Sequence, residues 1–120
     1  MSGKTRDRER VTEAFRRWAR AGCPEPDQIR TEMVGHEVAE DFRACAAVFG
    51  ALEKDMRSNG VGPHAVRAVR QVYMAQPFRA LRKCEISLRV RAVAREEYAS
   101  ERQVYAWIAK TRSLWFRFRG

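Results

Sequence analysis

The sequence predicts an all-α protein, a single compact helical domain of about five helices with a helix-turn-helix in its C-terminal part. Apolar residues recur three and four positions apart in several segments, which is the periodicity of a helix with one buried face. Proline, glycine and serine residues separate these segments, as expected where helices end and begin. No segment of useful length alternates apolar and polar residues in the manner of a half-buried strand. A chain of 120 residues fits one domain with a modest core.

The first helix is predicted over residues 8–21, and the polar residues 1–7 before it are expected to form a disordered tail. The apolar face of this helix consists of Val11, Phe15 and Trp18. Three arginines lie outside that face: Arg16, Arg17 and Arg20. Gly22 is a suitable C-terminal cap. Because two prolines follow, residues 23–34 are expected to form a loop with a short turn.

The second helix, predicted over residues 36–56, has the strongest apolar stripe in the chain. The stripe consists of Val38, Phe42, Cys45, Phe49, Leu52 and Met56. Such a stripe is typical of a helix inside the core, and also of a seam for a partner helix. The internal helix is the preferred interpretation. The helix is expected to end at Ser58, Asn59 and Gly60.

The third helix is predicted over residues 64–75, and it begins the part of the domain that contains the helix-turn-helix, residues 64–120, after the N-terminal helices of residues 8–60. Gly62 and Pro63 favour a helix start just before it, and Pro77 stops it. A short turn or helix is expected to follow. That segment comprises residues 78–83.

The last two helices are predicted from their N-terminal caps. Ser87 is a suitable N-cap for a fourth helix that runs to about Glu97. Ser100 is a suitable N-cap for a fifth helix that runs to about Arg117.

The charge of the chain is strongly positive and unevenly placed. The formal net charge is +9, with +4 in residues 1–23, −4 in residues 24–60, +2 in residues 61–77 and +7 in residues 78–120. Nucleic-acid phosphate is the usual partner of such a basic surface. Ordinary solubility charge is the alternative.

Residues 93–110 have the order of a helix-turn-helix. Ala94 provides a small residue where the second helix crosses closely, Ser100 caps that helix, and Val104 and Ile108 anchor it. In this motif the first turn of the second helix reaches base edges in the major groove. The candidate DNA-binding residues are Ser100, Glu101, Arg102, Gln103, Ala106, Lys110, Arg89, Arg91 and Arg112.

These candidates divide into two roles. Arg102 is suited to pair with guanine and Gln103 with adenine, whereas the lysine and the other arginines are better placed for phosphates. Two positions depart from the usual motif, which has a glycine at Tyr98 and an apolar residue at Glu97. An ordinary helical hairpin with a solvated basic face is the alternative interpretation.

The sequence contains no residue pattern typical of a catalytic site or a metal site. His36 and His64 have no cysteine or second histidine at ligand spacing, so no zinc site is predicted. We predict no catalytic residue, no metal site and no cofactor, and therefore no enzyme. The three cysteines are expected to be reduced thiols: Cys23, Cys45 and Cys84. No apolar run suits a membrane span or a signal peptide, so a cytoplasmic protein is expected.

Residues 115–119 interleave aromatic rings with arginines. Such a segment can stack on bases or grip a nucleic-acid backbone. Docking of the rings on the domain, with the arginines at its surface, is the preferred interpretation.

The layout of residues 11–115 resembles the phage late-gene antitermination proteins of the Q type, and more loosely phage activators with a helix-turn-helix like sigma region 4. Residues 15–21 resemble the early Arg-Trp helix of that family, residues 42–52 its central helix, and residues 66–74 the helix that leads into the DNA-binding motif. The motif itself is matched by Val93, Ala94, Ser100, Val104 and Ile108. The stretch of residues 75–86 is longer than the usual connection. The zinc-binding cysteine cluster of some members is absent from this sequence.

The resemblance implies a protein of the bacterial host cytoplasm, associated with the nucleoid, that binds double-stranded DNA within or near a phage late promoter. Such a protein engages RNA polymerase, both sigma and core, and then travels with it and suppresses pausing and termination. An acidic surface is one candidate for the polymerase contact, although a solvated helix face is the preferred interpretation. That surface consists of Glu37, Glu40, Asp41, Glu53 and Asp55.

Two alternatives stay open. The first is a plain helix-turn-helix repressor or activator that never travels with polymerase. The second is a protein-interaction module that inhibits a host factor through its helical faces. One helix-turn-helix often contacts only half of a DNA site. A homodimer, or two copies bound side by side on DNA, is therefore an arrangement consistent with the motif.

Overall fold

The computed structural model describes residues 3–55 and 61–120. These ranges contain helices and no strand, which confirms the predicted all-α domain. The helices are α1 Gly3–Arg20, α2 Thr31–Val34, α3 His36–Lys54, α4 Val61–Val69, α5 Glu85–Glu96 and α6 Glu101–Arg119. A 3-10 turn, Pro26–Gln28, precedes α2, and α4 continues into a π-helical turn, Arg70–Met74.

The core lies where α3, α4 and α6 pack on one another, with α1 against α3 and α5 against α6. Its largest fully buried side chain is Trp115 of α6. Phe49 of α3 meets two aromatic rings of α1, with centroids 5.6 Å from Phe15 and 5.2 Å from Trp18. Full burial of a large apolar side chain stabilises the fold by about 1.5–3 kcal/mol, so this aromatic contact fixes α1 on α3.

The α3 stripe is internal. Phe42, Cys45, Phe49 and Leu52 are buried and Val38 is half-buried, which confirms the core interpretation over a seam for a partner helix. Burial raises the pKa of the Cys45 thiol far above its ordinary value, as expected for a thiol that is not reactive. Two parts of the prediction, Met56 and the end at residues 58–60, lie outside the described residues.

Several helix boundaries differ from the predicted ones. The first helix begins at Gly3 rather than Arg8, so residues 3–7 belong to α1 and not to a tail. The helix predicted to begin after Ser87 begins at Glu85, and its N-cap is Cys84, with φ 65°. Ser87 therefore lies inside α5 and caps nothing. The expected loop before α3 contains the short helix α2, whereas residues 78–83 form turns without a helix.

Gly22 and Gly62 serve two different purposes. Gly22 follows the end of α1 with φ 86°, as predicted for a C-terminal cap. Gly62 lies where α4 crosses the end of α3, and a Cβ atom there would overlap the carbonyl oxygen of Leu52. The close approach of α4 to α3 therefore requires a residue without a side chain at position 62.

Three arginines, which we call the arginine cap, bind backbone carbonyls of the π-helical turn that follows α4 and of the residues just after it: Arg16, Arg20 and Arg89. Arg16 is buried and donates to the carbonyl oxygens of Tyr73 at 2.7 Å and Gln76 at 2.8 Å. Helix ends leave such oxygens without intrahelical partners. The cap therefore ties α1 and α5 to the segment that follows α4, and Arg16 is buried although it lies outside the apolar face of α1.

Candidate nucleic-acid interface

The segment predicted to be a helix-turn-helix comprises α5, the four residues after it and α6. Ser100 is the N-cap of α6, and its Oγ accepts a hydrogen bond from the backbone N–H of Gln103 at 3.0 Å. This confirms the predicted cap. Val104 and Ile108 are buried, also as predicted. The first turn of α6 is therefore anchored from one side and open on the other.

The turn closes without the expected glycine. Tyr98 has φ 53° and a side chain that is 98% exposed. The backbone N–H of Ala99 donates to the carbonyl of Ala94 at 2.9 Å, which is the closing bond of a helix end with a left-handed residue. A non-glycine residue in this region costs about 1–3 kcal/mol, and the hydrogen bond offsets part of that cost.

Glu97 takes the place of the usual apolar residue by forming ion pairs. Its Oε1 lies 2.6 Å from Nδ1 of His64 and 2.7 Å from Nε of Arg67, both on α4. Burial alone would raise the pKa of Glu97, but the hydrogen bonds from His64 and Arg67 and their charge outweigh burial and lower the pKa. The turn is therefore held to α4 by charge.

His64 also supports α6. Its ring stacks on the indole of Trp107, with centroids 4.9 Å apart and planes 9° from parallel. A stacked pair of this kind contributes about 0.5–1.5 kcal/mol beyond burial. No spacing signal in the sequence connects His64 with Glu97 or Trp107, which are 33 and 43 positions further along the chain.

The structure leaves most of the predicted contact residues open to solvent. The exposed residues are Ser100, Glu101, Arg102, Gln103, Ala106, Lys110 and Arg91. Arg91 Nε lies 3.9 Å from Glu101 Oε2, so it is brought to the start of α6. Lys110 Nζ lies 3.6 Å from Oδ2 of Asp55. Arg112 is half-buried, in a groove between α6 and α1.

Arg89 does not belong to this surface. Its side chain is 12% exposed and donates to the carbonyls of Val72 at 3.0 Å and Ala75 at 3.1 Å. It also pairs with Glu85 at 2.6 Å. Hydrogen bonding from Arg79, from the backbone of Arg82 and from Arg89 holds the pKa of Glu85 well below its ordinary range. The predicted phosphate contact by Arg89 is therefore replaced by its role in the arginine cap.

The C-terminal segment docks Trp115 on the domain, as preferred from the sequence, but Phe118 is exposed and Arg119 is ion-paired rather than solvated. Trp115 is fully buried, and Arg10 of α1 lies 5.2 Å above its ring. Arg119 Nε donates to Oδ1 of Asp41 at 2.7 Å, and Arg10 Nη2 donates to the same oxygen at 3.2 Å. Asp41 is therefore committed to an internal ion-pair cluster rather than to a polymerase-facing surface.

Comparison with known proteins, and a search of the described residues for metal-binding groups and membrane-spanning helices, gave no matches. No protein-family model, no curated protein and no solved structure matches the chain. Within residues 3–55 and 61–120, no three His, Cys, Asp or Glu side chains are grouped so that they could hold a metal ion. In the same ranges, every helix lacks the length and apolar character needed to cross a membrane.

Proposed function

We propose that the protein is a sequence-specific, DNA-binding regulator of transcription that inserts the start of α6 into the major groove. The observation that carries the proposal is the division of α6 into two sides. Val104, Trp107 and Ile108 are buried on one side, while Arg102 and Gln103 are exposed in the first turn. A recognition helix needs this combination of a rigid anchor and free polar side chains.

Direct readout is assigned to Arg102 and Gln103. An exposed guanidinium suits the O6 and N7 atoms of guanine, and an exposed amide suits the N6 and N7 atoms of adenine. Ala106 lies one helical turn after Arg102 and is exposed, so it leaves room for a base edge or a thymine methyl group.

Backbone contacts are assigned to Arg91 and Lys110, on opposite flanks of the exposed turn. Both are already ion-paired, Arg91 with Glu101 and Lys110 with Asp55. Because exposed pairs of this kind contribute about 0–1 kcal/mol, exchanging the carboxylate for a phosphate costs little. Glu101 then repels a phosphate that lies in the wrong register.

The test is selection of genomic DNA fragments by the purified protein at about 150 mM salt, where non-specific phosphate binding is weakened. We expect one short element to be enriched. The double variant Arg102→Ala with Gln103→Ala should lose about 1–3 kcal/mol of binding free energy per lost base contact while circular dichroism stays unchanged. The control is Arg30→Ala, an exposed arginine before α2. Retained specificity in the double variant would overturn the placement of the recognition helix.

A narrower proposal follows from the resemblance described above: the regulator is a phage or prophage antiterminator that modifies RNA polymerase. It is tested by transcription with purified polymerase on a template that carries the selected element upstream of a terminator. Readthrough that depends on the element supports antitermination. Changed initiation with unchanged termination supports a plain activator or repressor instead.

A further inference from the structure

A groove of about 690 Å³ separates α1 from α6 and ends at the start of α5. Its floor is largely apolar and includes Ile86, Ile108 and Ala109. Three arginines line it as well, Arg8 from α1 and Arg102 and Arg112 from α6. On α6 the two arginines are ten positions apart, so the groove extends about 15 Å along the helix.

The charge of this groove is uncompensated. In the part of the chain that the structure describes, none of its three arginines pairs with a carboxylate, and no Asp or Glu lines the groove. The neighbouring basic residues behave differently. Arg10, Arg91, Lys110 and Arg119 are each within 4 Å of a carboxylate. The three unpaired cations therefore form a local positive potential over an apolar surface.

The apolar floor and the three unpaired arginines together indicate which kind of ligand fits the groove. A nucleic-acid backbone would satisfy the arginines but would leave the apolar floor uncovered or would bury phosphate on it, which is unfavourable. An uncharged apolar segment would cover the floor but leave the arginines unmatched. A peptide with apolar side chains on one face and carboxylates beside them satisfies both, and a helix of about three turns fits the length.

We propose that this groove binds an acidic amphipathic helix of a partner protein, with its apolar residues on the floor and its carboxylates on Arg8 and Arg112. Arg102 lies at the border between the groove and the surface assigned to DNA. Ala106, which is also assigned to the DNA surface, lines the groove as well, so the partner helix and DNA would share part of this surface. The interaction does not depend on the proposed DNA readout.

The experiment is a display selection of random peptides of about 15 residues, about four helical turns, against the full-length protein at about 150 mM salt without DNA. We expect enrichment of sequences with Asp or Glu next to Leu, Ile, Phe or Trp at helical spacing. A fluorescently labelled peptide from this pool should bind about tenfold or more weakly to Arg8→Glu with Arg112→Glu. The charge-matched control is Arg30→Glu with Arg95→Glu, two exposed arginines outside the groove.

A second variant separates peptide from DNA. Ala109→Lys fills the floor of the groove and adds positive charge at a helical position that tolerates lysine. It should abolish peptide binding, whereas a groove that follows a phosphate backbone should bind duplex DNA more tightly in this variant. The proposal is overturned by a pool without the acidic and apolar pattern, by no enrichment, by peptide binding that survives Ala109→Lys, or by equal loss in the groove and control double variants.

Discussion

Arg16 shows how much of this fold depends on one polar side chain. Its guanidinium donates to carbonyl oxygens between residues 73 and 79, in a setting where it is only 4% exposed. Burial lowers the pKa of Arg16, and the nearby positive charges of Arg89 and Arg20 lower it further. The group stays protonated, so its charge remains available to the carbonyl dipoles at the end of α4.

Replacement of Arg16 by methionine keeps the length of the side chain but leaves those carbonyls without a donor. We expect the free energy of unfolding to fall by about 3 kcal/mol, since each buried oxygen that loses its partner costs about 1–3 kcal/mol. Urea denaturation followed by circular dichroism measures the change. Arg17→Met on the same helix is exposed and should alter stability by about 0.5 kcal/mol at most. Equal effects of the two substitutions would contradict the role of the cap.

Gly62 and Gly50 provide a matched pair for the contact between α3 and α4. A Cβ atom at position 62 overlaps the Leu52 carbonyl, whereas one at position 50 meets nothing within 4 Å. Gly62→Ala should therefore destabilise the protein by about 1–3 kcal/mol through overpacking. Gly50→Ala, inside α3, should stabilise it by up to about 1 kcal/mol. Thermal denaturation measures both, and a stabilising Gly62→Ala would show that the helices separate easily.

At the scale of the element, the orientation of α6 is set by the turn that connects it to α5. Hydrogen bonds and ionic contacts hold this turn, which has Glu97 and Tyr98 at the positions where the motif usually has an apolar residue and a glycine. Glu97 binds His64 and Arg67, and His64 in turn stacks on Trp107. The orientation of the proposed recognition helix therefore depends on an ionised carboxylate.

Acid should weaken this arrangement. Because the folded pKa of Glu97 lies below its unfolded value, the unfolded chain binds more protons between the two, and stability falls as the pH decreases through that window. The contribution is complete above about pH 4.3, the ordinary value for glutamate, and is lost below the folded pKa. The stability difference between wild type and Glu97→Gln should therefore stay constant from about pH 7 to about pH 5 and shrink as the pH falls below about 4.3.

Glu96 provides the control for this pH series. It is exposed and pairs with no cation among the described residues, so Glu96→Gln should retain the wild-type loss of stability with acid. The carboxylate of Glu85, whose pKa is also lowered, leaves a residual pH dependence in every variant. A difference between Glu97→Gln and wild type that is constant with pH would show that Glu97 contributes only hydrogen bonding.

How far the sequence predicts an element depends on whether its signal is local. The stripe of α3 and the cap at Ser100 are set by residues within a few positions, and both predictions are confirmed. Ser87 failed as a cap because Cys84, in a left-handed conformation, ends the preceding segment earlier. The partners of Arg16 and Arg89 could not be predicted from the sequence, because they are backbone carbonyls far along the chain and no local signal distinguishes a buried arginine from a solvated one.

At the scale of the whole molecule, the two ends of the chain are positively charged and its middle is negatively charged. The acidic middle, residues 24–60, carries a net charge of −4, and residues 78–120 carry +7. Part of this charge is neutralised internally, as where Arg119 meets Asp41 and Glu37. The charge that remains for a partner is therefore smaller than the formal +9 and lies on particular exposed side chains.

The salt dependence of the proposed DNA binding measures that remaining charge. Each neutralised phosphate contributes about −0.9 to the slope of log Kobs against log salt concentration. Lys110→Ala, which removes a proposed phosphate contact, should reduce the magnitude of the slope by about 1 and weaken all duplexes alike. Arg30→Ala should leave the slope unchanged. An unchanged slope in Lys110→Ala would remove this residue from the DNA surface.

The arginine cap limits how the protein can be divided or recombined. A fragment of residues 61–120 would contain both helices of the proposed helix-turn-helix, but it would lack Arg16 and Arg20, which bind carbonyls of Tyr73 and Pro77 in the segment after α4. Grafted into another scaffold, that fragment would present α6 at an angle that α1 no longer fixes. The proposed helix-turn-helix is therefore not portable by itself: a chimera that tests its DNA preference must exchange α5 and α6 together with the helices that hold them, α1, α3 and α4.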